Sequence, residues 1–159
     1  MRLASAGLIA LVATFFLTAP ALAQMALPAD TKAITDCLKK ADDAGQLGGA
    51  CIGIVADPCA EKSDKTSTRT RACAARELAV WIALTEAASK RVKAGGFKEI
   101  SAAVAASDKG WNQLRDQLCP VFDKIEPGTL PGDAAYCRMQ TTAHRALLLR
   151  RLGAAVNEH

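Results

Sequence analysis

The sequence predicts an all-α protein: a small antiparallel helical bundle stapled by disulfides. Three observations carry this. Apolar residues recur every three to four positions through the second half of the chain. Alanine is abundant and β-branched runs are short, which favours helix over sheet. Six cysteines (Cys37, Cys51, Cys59, Cys73, Cys119 and Cys137) form an even set in a chain of ordinary single-domain size.

The first element to justify is not part of the bundle. "MRLASAGLIALVATFFLTAPALAQ" has one basic side chain, Arg2, before an apolar run from Leu8 to Leu17, and closes on the small residues Ala21 to Ala23. These are the parts of a secretory signal peptide, and the run is shorter than the roughly 20 residues that span a bilayer. The expectation is therefore a signal at residues 1–23, cleavage after Ala23, and a single domain at 24–159 with no membrane span left. Its place would be periplasmic or secreted, where disulfides persist. Without Arg2 the chain keeps 19 basic against 16 acidic residues, a balance too mild and too mixed to call for nucleic acid.

The first helix is expected from Asp30 to Gln46, with apolar positions at Ala33, Ile34, Cys37, Leu38 and Ala41, Asp30 as N-cap, and "GQLGG" as the stop. "ACIGIVADPC" gives one or two short turns ending near Pro58. The polar run Glu61 to Arg71 reads as a solvated loop. From Ala74 a strong stripe follows: Leu78, Trp81, Ile82, Thr85, Ala88 and Val92, broken at "AGG". The next segment, Phe97 to Leu118, carries Ile100, Val104, Trp111, Leu114 and Leu118, and Pro120 is expected to end it. Two Pro-Gly turns (Pro127–Gly128 and Pro131–Gly132) precede a last helix, capped by Asp133 and running to about Leu152. Its stripe is Tyr136, Met139, Ala143, Ala146 and Leu147, and the tail "GAAVNEH" is expected to fray.

The cysteine spacing excludes the usual reactive uses. There is no C-x-x-C, no haem attachment motif and no close pairs at zinc-finger spacing. Cys119 and Cys137 bracket a turn-rich loop and are expected to pair. For the other four, spaced C-x13-C-x7-C-x13-C, adjacent pairing (37–51, 59–73) and nested pairing (37–73, 51–59) both remain open, with the adjacent set favoured. Each closed loop of about 15 residues contributes roughly 3 kcal/mol on the loop-entropy account.

Nothing in the sequence asks for catalysis, a cofactor or a metal. The two histidines are His144, inside a helix beside Arg145, and His159, the last residue. No HExxH, EF-hand loop, P-loop or GxSxG elbow occurs. The densest chemistry is "WNQLRDQLC" (Trp111 to Cys119). On a helix, Trp111 would point inward with Leu114 and Leu118, and Arg115, one turn on, would cover the indole. Asp116 would meet a basic residue of the last helix such as Arg145. These groups read chiefly as frame, with a surface Arg–Trp binding spot as the sharper alternative.

Three stretches, "CAARELAVW" (Cys73 to Trp81), "WNQLRDQLC" and "CRMQTTAHRALL" (Cys137 to Leu148), together resemble the LprI-like lysozyme-inhibitor family. The matching positions are Trp111, Arg115, Asp116, Cys119, Cys137 and Arg145, over roughly Cys59 to Leu152. Asp108 stands where that family usually has glutamine, and the two Pro-Gly turns replace its glycine-rich turn. The resemblance implies an exported, helical, disulfide-bonded bacterial protein that is not an enzyme, with lysozyme or another envelope protein as partner. A structural or stress-related envelope protein with no lysozyme activity is the competing reading.

Overall fold

A computed structural model describes residues 26–62, 67–125 and 133–158. Among them are five α-helices and no strand: α1 (Pro28–Asp43), α2 (Ala56–Glu61), α3 (Ser67–Ala94), α4 (Lys98–Ile125) and α5 (Asp133–Ala155), with a 3₁₀ turn at Gly49–Cys51. The expected signal peptide, the two Pro-Gly turns, the Asp133 side chain and His159 lie outside the described residues.

The body is a three-helix bundle of α3, α4 and α5. Gly153 packs on Ala88 and Arg91, while the Asn157 amide donates to the Arg91 carbonyl, so α3 and α5 run parallel. Arg71 faces Asp123 at 3.7 Å, and Cys119 is joined to Cys137, so α4 runs antiparallel to both. Two apolar clusters fill the bundle. The larger joins Ile34 and Leu38 of α1 to Val80 and Trp81 of α3 and to Met139, Ala143 and Ala146 of α5. The smaller joins Ala88, Val92, Val104 and Leu149, and is where α4 enters the core.

The cysteines form the adjacent set: Cys37–Cys51, Cys59–Cys73 and Cys119–Cys137. The first two bridges tie α1, the 3₁₀ turn and α2 against the start of α3, and the third ties α4 to α5.

Several boundaries depart from the sequence reading. α1 starts at Pro28, a proline at the first helical position having no N–H to lose. Asp30 is therefore not the N-cap. It lies inside the first turn, buried, and accepts two hydrogen bonds from Arg76, at 3.1 Å from Nε and 2.7 Å from Nη2. α3 begins at Ser67, so Arg69 and Arg71 are helical rather than part of a loop.

α4 does not stop at Pro120 but continues to Ile125. An internal proline removes one backbone bond and crowds one turn. Here that turn faces solvent at Asp116, and the neighbouring Cys119 is held to α5. The C-terminal tail does not fray at Gly153 either: the helix reaches Ala155, Val156 is buried, and the Asn157 amide also donates to the Gly153 carbonyl at 2.7 Å.

Candidate functional site

Two polar clusters are buried in this bundle. The first centres on Glu77 of α3, which is fully buried. Its Oε1 accepts from the Gly53 backbone N–H at 2.7 Å and from the Trp81 indole N–H at 2.8 Å. Its Oε2 accepts from the backbone N–H groups of Val55 and Ala56 at 3.0 and 2.8 Å. The carboxylate thus satisfies the open start of α2 and ties it to α3, a charge-assisted arrangement that the positive end of a helix favours.

The backbone at Gly53 has φ +98°, which favours glycine, and a Cβ there would also push the Asp57 carboxylate aside. Beside this, Asp57 and the Tyr136 hydroxyl are hydrogen-bonded. Burial and then the Asp57 charge push the tyrosine up to about 12. Burial, followed by the Glu77 charge, raises Asp57 above the ordinary carboxylate range. This cluster is closed and serves architecture.

The second cluster contains the residues singled out from "WNQLRDQLC" and α5. Arg145 of α5 is buried, and its Nη2 donates to Asp108 at 2.6 Å, to Ser107 at 2.7 Å and to the Val104 carbonyl at 3.4 Å. Its guanidinium carbon lies 5.7 Å from the centre of the Trp111 ring, a cation–π distance.

The partners differ from those expected. Arg145 covers the indole in place of Arg115, and it pairs with Asp108 in place of Asp116. Arg115 instead turns its Nε to its neighbour Asp116 at 2.9 Å; Asp116 is exposed, and Arg115 is half-buried at the edge of the cavity between the helices. That bond lowers the Asp116 pKa. The geometry follows from helix phase: at about 100° per residue, Asp108 lies about 60° from Trp111 around α4, and Asp116 about 140° away.

Nor does Trp111 enter the core with Leu114 and Leu118. The core tryptophan is Trp81. Trp111 is half-buried at the wall of a cavity between α3, α4 and α5, and Leu114 and Leu118 are each 50% exposed. They belong to an apolar ridge on the second half of α4, continued by Val121, Phe122 and Ile125, all exposed. The spacing of Leu114, Leu118, Val121 and Ile125 is four, three and four residues, the seam of a helix that packs lengthwise on something. α4 as a whole is charge-neutral, with Lys98, Lys109, Arg115 and Lys124 balanced by Glu99, Asp108, Asp116 and Asp123.

The described residues hold no group of three or more His, Cys, Asp or Glu side chains placed for a metal, and no helix long and apolar enough to cross a membrane. His144 is exposed on α5.

A family model described as lysozyme inhibitor LprI matches residues 59–149, which contain α3, α4, most of α5 and two of the disulfides. The chain belongs to the LprI lysozyme-inhibitor family. No curated protein and no solved structure matches it. Within this LprI protein the matched span includes the Arg145 cluster, the α4 ridge and Glu77 itself, while the Gly53, Val55 and Ala56 N–H groups that Glu77 accepts from lie just before it. α1 and the Cys37–Cys51 bridge precede it.

Proposed function

We propose that this LprI-family protein is an exported inhibitor that binds lysozyme through the exposed face of α4 and occludes its active-site cleft. The signal at residues 1–23 and the single mature domain at 24–159 belong to the same proposal. The observation that carries it is the apolar ridge of Leu114, Leu118, Val121, Phe122 and Ile125, bordered by the half-buried Arg115 and the exposed Asp116 paired with it. An exposed apolar patch with a polar rim is how protein-binding surfaces are built.

Charge bears on the choice of partner. Animal-type lysozymes are strongly cationic, and the 19 basic against 16 acidic residues of 24–159, a formal charge of +3, work against long-range attraction. The neutral α4 avoids local repulsion, so association here rests on apolar burial and shape rather than on steering. Trp111 and Arg145 hold α4 in place behind the ridge, while Arg115 and Asp116 meet the partner at its edge. The family is one of inhibitors, and the reading needs no catalytic group.

The test is calorimetric titration of the oxidised protein, Gln24 to His159, into a c-type lysozyme at low and near-physiological salt, alongside a cell-wall lysis assay. Saturable 1:1 heat that persists at the higher salt, with matching loss of lysis, is the expected result. Absence of heat at both salts would overturn the reading. If sedimentation also found a dimer, the ridge would belong to self-association.

A further inference from the structure

The cavity behind the ridge carries chemistry that blocking a protein cleft does not use. It lies between α3, α4 and α5 and has a volume of about 410 Å³, within the range of small-molecule sites. The Trp111 ring forms part of its wall, with Ile82 and Leu149 as further apolar surface. Four cations line it (Lys90, Lys93, Arg115 and Arg145) against two carboxylates, Glu86 and Asp108; Arg145 is engaged by Asp108 and Arg115 by Asp116, which leaves Lys90 and Lys93 against Glu86. The lining is therefore positive in balance.

Two N–H donors on residues of this wall, Trp111 Nε1 and Arg145 Nε, are buried and have no hydrogen-bond partner, and they are the two such side-chain atoms among the described residues. A buried donor left unpaired costs about 1–3 kcal/mol. Both groups donate and neither accepts, so what is missing is an acceptor.

We propose that this cavity binds a carboxylated sugar. The excess of cations takes the acid group, the indole face takes the ring, and Glu86 and Asn112 take hydroxyl or amide groups at its edge. A simple aliphatic acid would use the cations and make no use of the exposed Glu86 and Asn112 at the rim. A neutral sugar would leave the cations uncompensated and forgo the charge-assisted bonds. Because Trp111 Nε1 and Arg145 Nε are sealed from solvent behind the wall, uptake is coupled to a turn of the indole that gives Nε1 its acceptor.

The experiment follows the two indole N–H signals in a ¹H–¹⁵N spectrum of the oxidised protein alone, with no lysozyme present. The probes are N-acetylmuramic acid against N-acetylglucosamine, and glucuronate against glucose, each pair differing in an acid group. The Trp81 signal, fixed by Glu77, should stay in place. The Trp111 signal, assigned by its loss in Trp111→Phe, should move downfield and saturate with at least one acid, about tenfold more tightly than with its neutral counterpart.

Saturation by the first acid alone marks a cell-wall amino sugar as the ligand, and by glucuronate a uronic acid. Lys90→Glu, a change at an exposed position, should weaken binding about tenfold without altering the spectrum of the free protein. No saturable shift at about 20 mM of either acid, or equal response to acid and neutral sugar, overturns the proposal. The lysozyme titration reads a separate event, so either proposal can fail while the other stands.

Discussion

Glu77 and Arg145 are both buried charges in one bundle, but their surroundings are finished to different degrees. The two oxygens of Glu77 accept four hydrogen bonds from donors that have no other use, and Cys37–Cys51 and Cys59–Cys73 hold the pieces around them. Arg145 has three acceptors crowded on one nitrogen, while its Nε and the adjacent indole N–H have none. Apolar surface follows the same division. Trp81 and Ile34 are sealed inside the first region, whereas the second half of α4 displays five large apolar side chains. A saturated cluster has nothing left to offer a partner. The unsaturated one lies next to an exposed ridge, and it is here that both proposals place binding.

Breaking the finished side should have the largest effect. Glu77→Ala leaves the Gly53, Val55 and Ala56 N–H groups and the Trp81 indole without acceptors, and should cost about 4 kcal/mol or more in urea unfolding followed by far-ultraviolet circular dichroism. Glu77→Gln keeps one acceptor oxygen and should cost distinctly less. A loss below about 1 kcal/mol for Glu77→Ala would mean that water replaces the carboxylate and that the region is not closed. Next comes the paired change Cys37→Ser with Cys51→Ser. It reopens a loop with a sequence separation of 14 and should lower stability by about 3 kcal/mol by the same measurement.

The open side should respond in the opposite sense. Leu118→Asp combined with Phe122→Asp alters two exposed positions, so the unfolding midpoint should shift by no more than about 0.5 kcal/mol, while lysozyme affinity falls at least about 100-fold. A large loss of stability would place these side chains in the fold rather than at a partner.

The smallest effect is a titration within the finished side. Tyr136 is the single tyrosine of the chain, so its absorbance reports one group. Its ionisation should centre near pH 12 in the folded protein and near 10 once unfolded. Protonated Tyr136 is favoured by the fold, so its contribution to stability is complete below pH 10 and is lost as pH rises from 10 to 12. Tyr136→Phe should flatten that part of the stability curve. A folded-state midpoint at 10 would show the hydroxyl to be open to water.

Much of this bundle was legible from periodicity. Trp81, Ala88 and Val92 on α3, and Met139, Ala143 and Ala146 on α5, are buried as their spacing requires. Glu77 was not legible. On a helix a glutamate ordinarily faces water, and three of the four N–H groups that hold this one come from residues 21 to 24 positions earlier, brought there only by the tertiary fold. The second cluster was half-legible. Trp111, Arg145 and an aspartate do meet, but helix phase selects Asp108, three residues before the tryptophan, over Asp116 five after it. The α4 ridge was misread because an apolar stripe declares that it will be covered without saying by what. Its first half, at Val104, is buried in the smaller cluster; its second half is left exposed by the described residues.

The cysteine connectivity has a consequence for how the molecule is made. Each bridge joins a cysteine to the very next one along the chain, at separations of 14, 14 and 18 residues. A polypeptide delivered amino end first presents the first two cysteines together, then the next two, then the last. An oxidant that joins thiols in order of appearance reaches the native set directly, one outcome among the fifteen that six cysteines allow. No bond has to be undone, and the molecule can be completed where catalysts of disulfide reshuffling are scarce.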